Sequence, residues 1–382
     1  MTAVAAMVAA AVVTGVSGGP ATAAGQDDVT EVPCNTAALT TAIATAMAGE
    51  TLSLHRDCTY HLTTAFAPGE GLPPITQSLT IRGNGATIVR DGPNPGLFRI
   101  FHVTTAGTSK GNLRLEDLTV RGGSAAGSGG GIRVDSGGML TLAHVDVFDN
   151  TATGDGGGVW VETGATASVR RSRLAFNNAD DGGGLFTEGT LSVEDSEFAR
   201  NHARISGGGL YQAAGISFLH ATVIDRNTSA ASAGGVFVDG GTMTFGESKI
   251  ANNTTAGTLG GGFVNSAQLE LDKSEVSGNV VGGPGGLGGG FANLTASAVL
   301  TLKGSKVTGN SANGNGASQG GGIYNLGGSV TLDHSTVRNN ASTTAPGGVF
   351  TDTLVTVTDS QITHNIPTNC VPNQNLVPGC TN

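Results

Sequence analysis

The chain has 382 residues, of which 63 are glycine, 13% are charged and 38% are hydrophobic, and its formal net charge is −10. A disordered glycine-rich chain would contain fewer aliphatic residues, so this composition argues against an unstructured linker and leaves enough apolar side chains for a core. The acidic balance argues against a polyanion such as DNA, and we expect no nucleic-acid partner.

Residues 1–24 predict a signal peptide. An apolar run from Ala3 to Val16 precedes the small residues Ala21 to Ala24, as in the hydrophobic region and cleavage site of an export signal, although no Lys or Arg lies near Met1. No later segment approaches the roughly 20 apolar residues that span a bilayer. We therefore expect a secreted or cell-surface protein without a transmembrane segment.

Residues 25–112 predict an N-terminal cap followed by irregular first coils. Asn35 is a candidate N-cap, Leu39, Ile43 and Met47 recur at helical spacing, and Gly49 is a stop signal. Such a helix would cover the apolar end of a repeat stack. Short strands are predicted at 51–54, 79–81, 86–89 and 98–103.

A unit of about 26 residues repeats through residues 113–365. In one copy, Leu140 and Leu142 flank a polar residue, Val147 follows five residues later, Asn150 lies three further on, and a glycine triplet begins at Gly156. Period-two strands at a fixed return distance predict parallel coils rather than helical repeats. One copy, with Ile216, Phe218 and Ile224 in these apolar positions, has an extra residue that we interpret as a bulge.

The predicted fold class is therefore all-β, a single-stranded right-handed parallel β-helix (solenoid) with a short N-terminal capping helix. Equivalent residues of successive coils lie above one another in such a stack, so the repeated asparagines should form a ladder at a turn that needs left-handed backbone. The glycine triplets should occupy sharp corners. We expect one elongated monomer that ends in a tail at residues 366–382.

Four cysteines lie outside the repeats, namely Cys34, Cys58, Cys370 and Cys380. An even count in an exported chain indicates disulfides, and the separation of the two ends of a solenoid favours one local bridge at each end among three pairings. The chain has no Cys-x-x-Cys pair, and we predict no metal site. His144, His220 and His334 are predicted to share one turn column, several coils apart, which is too far to share a metal.

The two repeated motifs resemble a known repeat family. The first motif reads GGGI, GGGV, GGGL or GGGF, and the second reads VFDN, FARN, IANN or VTGN. They resemble the polymorphic membrane protein repeat and, more broadly, the pectin-lyase-like β-helix superfamily. The segment from Cys34 to Leu62 is also similar to the N-terminal cap of secreted bacterial β-helix proteins. This resemblance implies a fold, but it implies an activity only weakly.

Polysaccharide lyases of this superfamily use acidic Ca²⁺ ligands with an Arg or Lys base, and its hydrolases use clustered aspartates. The signature motifs of polygalacturonase-like hydrolases are absent, and the best carboxylate cluster here is Asp155, Asp180 and Asp181, which precede the glycine triplets of consecutive coils. Stacked neighbours would lie about 5 Å apart, close enough for an acid and base pair or a shared cation. The alternative is a set of solvated loop acids. Ca²⁺ is implied only for a lyase, and otherwise no cofactor is expected.

An aromatic column follows the glycine triplets. The residue after each triplet is apolar and should point inward, so the next residue should point outward. In four consecutive coils this residue is aromatic: Trp160, Phe186, Tyr211 and Phe237. Exposed rings at about 4.8 Å spacing could stack on sugars or dock a partner surface. The alternatives are that these rings belong to the core or lie beneath loops.

Three functions are consistent with this sequence. The first is a non-catalytic, adhesive binding scaffold for a polysaccharide, a cell-surface glycan or another surface, with the aromatic column as its site. The second is a carbohydrate-active enzyme, either a polysaccharide lyase or a glycoside hydrolase, centred on Asp155 and Asp181. The third is a spacer without a ligand.

Overall fold

The computed structural model describes residues 29–372 and 374–381, so the predicted signal peptide lies outside the described residues. The described chain winds into a parallel β-solenoid of about 12 turns. Every pairing between the strands of successive turns is parallel, and the two-stranded antiparallel hairpin of Thr105–Ala106 with Ser109–Lys110 projects from an early turn. The predicted fold class is confirmed.

Each regular turn contributes to four sheets, which we number in chain order. In one turn, residues 139–143 lie in sheet 1, residues 145–148 in sheet 2, Thr151–Ala152 in sheet 3 and Val159–Val161 in sheet 4. Sheets 1 and 2 form one continuous 22-stranded sheet, because long strands in three early turns cross the corner between them. Sheet 3 has nine strands and sheet 4 has ten.

The long strands that cross from sheet 1 to sheet 2 are Ser78–Arg90, Asn112–Arg121 and Met139–Phe148. The other strands of sheet 1 are Val29–Val32, Glu50–Leu54, Thr166–Arg170, Thr190–Glu194, Ile216–His220, Thr242–Gly246, Gln268–Asp272, Val299–Lys303, Ser329–Asp333 and Thr356–Thr358. The other strands of sheet 2 are Thr59–Leu62, Arg173–Ala175, Glu197–Ala199, Val223–Asp225, Lys249–Ala251, Glu275–Ser277, Lys306–Thr308, Thr336–Arg338 and Gln361–Thr363.

Sheet 3 consists of Ser124–Ala125, Thr151–Ala152, Asn178–Asp181, His202–Ser206, Thr228–Ser229, Thr254–Thr255, Val280–Val281, Ser311–Ala312 and Ala341–Ser342. Sheet 4 consists of Phe101–Val103, Ile132–Val134, Val159–Val161, Leu185–Thr187, Leu210–Gln212, Val236–Val238, Phe263–Asn265, Phe291–Leu294, Ile323–Leu326 and Val349–Thr351. A 3₁₀ turn, Gln374–Leu376, lies in the tail.

The N-terminal end of the stack is covered by the helix Thr36–Thr45. The Asn35 side chain accepts a hydrogen bond from the backbone N–H of Ala38 at 3.1 Å and so caps the helix, as predicted. Leu39 and Ile43 are buried, but Met47 lies beyond the helix and is 68% exposed. The helix ends earlier than predicted because the Met47 N–H donates to the Glu50 carboxylate at 2.8 Å, which holds residues 47–50 in a turn.

Disulfides close both ends of the stack. Cys34 is bonded to Cys58 beside the capping helix, and Cys370 is bonded to Cys380 in the tail. No described cysteine is free. The two local bridges predicted from the cysteine spacing are therefore confirmed.

The repeated asparagines form a buried ladder. The Asn227 side-chain amide donates to Asn253 Oδ1 at 3.0 Å, and Asn253 in turn donates to Asn279 Oδ1 at 2.9 Å. Each of these oxygens also accepts the backbone N–H of the preceding asparagine, so the polar atoms are satisfied in a dry interior. The turn needs left-handed backbone, as expected, and the left-handed residue is the one before each asparagine, such as Asn252 at φ 56°.

A second polar ladder runs along the corner between sheets 1 and 2, and it was not predicted. The Ser274 hydroxyl oxygen accepts the backbone N–H of Ser248 at 3.0 Å, and Ser305 accepts that of Ser274 at 3.0 Å. A Ser or Thr lies five residues before the ladder asparagine in these coils, as Ser248 does before Asn253. That spacing could have revealed the ladder in the sequence.

The glycine triplets form the corner between sheets 3 and 4. Gly156 has a φ of 63°, and a Cβ at Gly157 would lie 2.5 Å from the carbonyl oxygen of Asn178 in the next coil. The first position needs left-handed backbone and the second needs close approach of two chains, which explains the repeated glycines.

The coil at residues 216–224 contains no extra residue, so the bulge interpretation is wrong. Ser217 and Leu219 align with the inward-facing Leu191 and Val193 of the preceding coil. Ile216 and Phe218, expected in the core, therefore point outward, because a one-residue shift of register exchanges the two faces of a strand.

Because of the same register shift, His220 does not share the predicted turn column with His144 and His334. His144 and His334 occupy the left-handed corner between sheets 1 and 2, with φ values of 56° and 49°. His220 is the last residue of a sheet 1 strand and pairs with Glu194, while Ala221 takes the corner of that coil.

Candidate functional site

The predicted aromatic column lies on the outer face of sheet 4. Trp160 pairs with Phe186, Phe186 with Tyr211, and Tyr211 with Phe237 in the register of successive strands. The inward-facing residues on either side of Trp160, Val159 and Val161, are fully buried in the main core. The four aromatic side chains are not members of that core cluster, but Phe186 is buried, with 7% of its surface exposed, and Trp160, Tyr211 and Phe237 are half-buried. We call these four side chains the aromatic strip.

Three of the four rings of the strip, Phe186, Tyr211 and Phe237, stack on one another along the solenoid axis. The Phe186 and Tyr211 ring centroids are 5.1 Å apart and those of Tyr211 and Phe237 are 4.8 Å apart, each pair with an interplanar angle of 15°. The Arg133 guanidinium lies 4.7 Å from the centroid of the Trp160 ring. The strip therefore presents only parts of the Trp160, Tyr211 and Phe237 side chains to solvent, because Phe186 is buried and both faces of the Tyr211 ring are covered.

Two of the three candidate aspartates lie beside the strip. Asp155 and Asp181 occupy equivalent positions before the glycine corners, and the Gly156 N–H donates to the Asp181 carbonyl oxygen at 2.9 Å. Asp181 Oδ1 accepts the backbone N–H of Ser206 at 2.8 Å. Burial raises the pKa of Asp181 to about 6, and the charges of Asp155 and Asp180 add to the shift. Burial and the charge of Asp180 likewise raise the pKa of Asp155.

The third aspartate, Asp180, belongs to a different environment. Its carboxylate accepts a hydrogen bond from Arg204 Nε at 2.8 Å. The same guanidinium donates to the carbonyl oxygens of Ala152 and Thr153 at 3.0 Å, which fixes it against sheet 3. Asp180 therefore forms an ion pair with Arg204, whereas no cationic nitrogen of the described chain lies within 4.0 Å of Asp155 or Asp181.

Further carboxylates follow the strands of sheet 4. The Tyr211 hydroxyl donates to Asp239 Oδ2 at 3.3 Å. Burial raises the pKa of Tyr211, and the charges of Asp239, Asp181 and Asp155 raise it further, so these acids are close to the ring. Glu162 and Glu188 occupy the position equivalent to Asp239 in earlier coils. Within the described chain none of these three acids forms an ion pair.

A polar cluster, not predicted from the sequence, continues the column toward the N-terminus. His102 pairs with Arg133 in sheet 4. Its Nε2 lies 2.7 Å from Asp135 Oδ2 and its Nδ1 lies 3.1 Å from Glu70 Oε1. Arg99 forms an ion pair with Glu70, and Arg133 Nε donates to Asp135 at 2.7 Å.

The two carboxylates of this cluster favour the charged form of His102. Burial alone would lower the pKa of His102, but hydrogen bonds to Asp135 and Glu70 outweigh it and raise the pKa to about 8. The same contacts hold the pKa of Asp135 well below its usual range despite burial. The cluster therefore fixes Asp135, which in turn orients Arg133 over the Trp160 ring.

No group of three or more His, Cys, Asp or Glu side chains in the described part of the chain has a geometry that could hold a metal ion. Among the described residues, no helix is long and apolar enough to cross a membrane. The chemistry that the site offers is therefore apolar ring edges, carboxylates that accept hydrogen bonds, and two stacked acids with raised pKa values.

Comparison with known proteins identifies the fold. Residues 101–281 match the family model described as right handed beta helix region, and this segment contains the whole aromatic strip. No curated protein matches the chain, and no solved structure does. The strand register and this family match together show that the chain is a right-handed parallel β-helix.

Proposed function

We propose that this β-helix is an extracellular, non-catalytic binding scaffold that holds an uncharged glycan along the aromatic strip. The observation that carries the proposal is the outward-facing column of four aromatic side chains with carboxylates along it. A solenoid with regular coils presents such a column as a straight line, which suits an extended polymer better than a compact ligand.

The charge around the strip supports an uncharged ligand. Asp155, Asp181, Glu162, Glu188 and Asp239 have no cationic partner within 4.0 Å in the described structure. Their combined field would repel a uronate or sulfated polymer. Sugar hydroxyls, in contrast, would donate hydrogen bonds to these carboxylates.

The stacking of the rings defines how such a ligand would be held. Both faces of the Tyr211 ring are covered by neighbouring rings and Phe186 is buried, so a sugar would lie across ring edges rather than on a ring face. This differs from the sugar stacking expected from the sequence. The Tyr211 hydroxyl and the carboxylates along the column would then supply the directional contacts.

An extracellular location is part of the proposal. Disulfides at both ends of the stack are typical of proteins that fold in oxidising compartments. The predicted signal peptide points the same way.

A glycan array followed by titration calorimetry tests the binding function. We expect a neutral polysaccharide to bind, and Trp160→Ala to weaken that binding at least 10-fold, because the variant removes an edge that no neighbour replaces. Phe350→Ala is the matched control, since Phe350 stacks on Tyr324 at 4.6 Å in the same column but is separated from the strip by the coils that carry Val264 and Ala292. Absence of binding to any glycan, or equal losses in both variants, would contradict the proposal.

The second candidate, a glycoside hydrolase, rests on the Asp155 and Asp181 pair. Strands of successive coils lie about 4.8 Å apart, which would bring the two carboxyl groups near the separation used by retaining enzymes. Asp181, with a pKa of about 6, would be the group that carries the proton. The hydrolase proposal would be favoured over the binding scaffold if the protein releases new reducing ends from a bound polysaccharide. This activity should be lost in Asp181→Asn while binding persists. If neither glycan binding nor release of reducing ends is detected, only the spacer function remains.

A further inference from the structure

The outer face of sheet 2 carries an open groove near the C-terminal end of the stack. Its volume is about 530 Å³, and three successive coils line it with polar side chains. The basic side chains among them are Lys306, Arg338 and His364. No acidic side chain of the described residues lines this groove, although the whole chain has a net charge of −10. We call it the sheet 2 groove.

The strand register brings the basic side chains together. Lys306 is in register with Thr336, and Arg338 with Thr363. The residues between them on these strands are buried in the core, so the lining side chains point outward. His364 follows Thr363 at a left-handed corner with a φ of 56°. Each of three successive coils, about 4.8 Å apart, therefore contributes one basic side chain to the same depression.

The polar groups of the groove have no partners within the protein. In the part of the chain that the structure describes, no carboxylate lies within 4.0 Å of Lys306, Arg338 or His364, and these side chains form no hydrogen bonds. The hydroxyl and amide side chains of the groove form none either, and these are Thr336, Asn339, Gln361 and Thr363. All of these groups are therefore available to a ligand.

A second groove of similar size shows the difference. It lies at the corner between sheets 1 and 2, has a volume of about 520 Å³ and is lined by arginines and acids together. There Arg170 Nε lies 3.6 Å from Glu194 Oε2, and Arg171 Nε lies 3.8 Å from Asp195 Oδ2. These arginines already have carboxylate partners in the chain, whereas the cations of the sheet 2 groove do not.

The acids nearest to the sheet 2 groove do not cancel its charge. Glu275 is in register with Lys306 on one side and with Lys249 on the other. Asp359 lies at the neighbouring corner, 3.6 Å from His334 Nε2. Over its last five coils the outer face of sheet 2 presents three cations and one acid, and the tail has no charged side chain. The local field therefore favours an anion.

We propose that the sheet 2 groove binds a phosphate group, with Arg338 and Lys306 as its main ligands and His364 as a further donor. A guanidinium offers two parallel N–H donors and an ammonium adds a compact charge with three more, while a tetrahedral phosphate accepts hydrogen bonds from several directions. A carboxylate has only two oxygens in one plane, which a single guanidinium already occupies. The surrounding hydroxyl and amide groups supply neutral donors.

The surroundings of the groove favour a small ligand over a polyanion. A long anionic polymer on the same face would meet the acids of earlier coils, such as Glu197 and Asp225. A volume of about 530 Å³ is that of a small-molecule site. The phosphate is therefore either the free ion or the end of a small phosphomonoester. The groove lies on sheet 2 and the aromatic strip on sheet 4, so this inference does not depend on the glycan proposal.

Titration calorimetry of the full chain with glycerol phosphate and with inorganic phosphate, at low ionic strength, tests the proposal. We expect binding, and we expect Arg338→Gln to raise the Kd about 10-fold because it removes a bidentate charged contact. Arg170→Gln is the matched control, since it makes the same change in a groove of similar size whose arginines are paired. It should leave the Kd unchanged. Circular dichroism would verify that both variants keep the β-helix.

The probes also separate the two sources of phosphate. Binding of inorganic phosphate as tightly as glycerol phosphate, or more tightly, identifies the free ion, and tighter binding of glycerol phosphate identifies a phosphomonoester. Gluconate carries a carboxylate instead and should bind roughly 10-fold more weakly than the better phosphate probe. The proposal is overturned if neither phosphate probe binds, if gluconate binds as tightly, or if the Arg338 and Arg170 variants lose affinity equally.

Discussion

Asp181 shows how one side chain can tie the candidate site to the stability of the fold. Within the described chain its carboxyl group accepts one hydrogen bond, from the Ser206 N–H, and burial raises its pKa to about 6. The ordinary pKa of an aspartate in an unfolded chain is about 3.9. Between these two values the folded protein binds the proton more tightly than the unfolded chain does.

The unfolding free energy should therefore fall as the pH rises from about 4 to about 6, because the ionised carboxylate is disfavoured in the folded state. We predict that Asp181→Asn is more stable than the parent at pH 7 by on the order of 2 kcal/mol and equal to it at pH 3.5. Urea denaturation at pH 3.5, 5 and 7 measures this. Asp180→Asn, at the partly exposed Arg204 pair, should stay within about 0.5 kcal/mol of the parent. A destabilised Asp181→Asn at pH 7 would refute the assignment.

At the scale of single strands, most of the fold could be predicted because identical spacings recur in every coil. The asparagine and glycine positions fix the corners, and the apolar triplets between them alternate in and out as expected. The predicted register was wrong for the coil at 216–224 because its apolar pattern conflicts with those corners. Leu219 lies eight residues before Asn227, as Leu142 does before Asn150. Counting back from the asparagine, rather than matching apolar residues, gives the observed register.

The candidate site could be predicted in part for the same reason. The four rings of the aromatic strip occupy one repeat position, so their alignment followed from the spacing. The polar cluster around His102 could not be predicted, because Glu70 comes from an irregular coil without a repeat to place it. Face-to-face stacking of the rings depends on side-chain torsions, and no periodicity specifies those.

Ser217 tests whether the observed register is correct. Its hydroxyl is buried without a partner, so the folded state bears a desolvation cost that an apolar side chain would avoid. We predict that Ser217→Ala stabilises the protein by about 1 kcal/mol in urea denaturation. Ser192→Ala, at an exposed position of the preceding strand, should have no measurable effect. If Ser217 faced solvent in a slipped register, the two variants would behave alike.

For the molecule as a whole, stability is carried from coil to coil rather than by one central core. Each coil contacts only its neighbours, so the unfolding free energy is approximately a sum of terms for coils and for the interfaces between them. The asparagine ladder is part of each interface. Weakening one rung in the middle should therefore uncouple the coils on either side of it.

Asn253 is the rung that tests this coupling. Its oxygen accepts two hydrogen bonds from Asn227, and its amide donates to Asn279 and to the Ile224 carbonyl, all at 2.9 to 3.0 Å. Asn253→Ala leaves these buried groups unpaired and should cost about 4 kcal/mol. Hydrogen exchange should then show two blocks that open separately on either side of residue 253.

The neighbouring Asn252 supplies the control. It is exposed and left-handed at φ 56°, so Asn252→Gly keeps the backbone conformation and loses only a surface contact with Asp225. We expect a change below about 0.5 kcal/mol and a single exchange profile along the rod. Comparable losses in the two variants would mean that the turn, and not the buried amide column, holds adjacent coils together. If the column does not couple adjacent coils, the parent protein itself should unfold coil by coil from its ends.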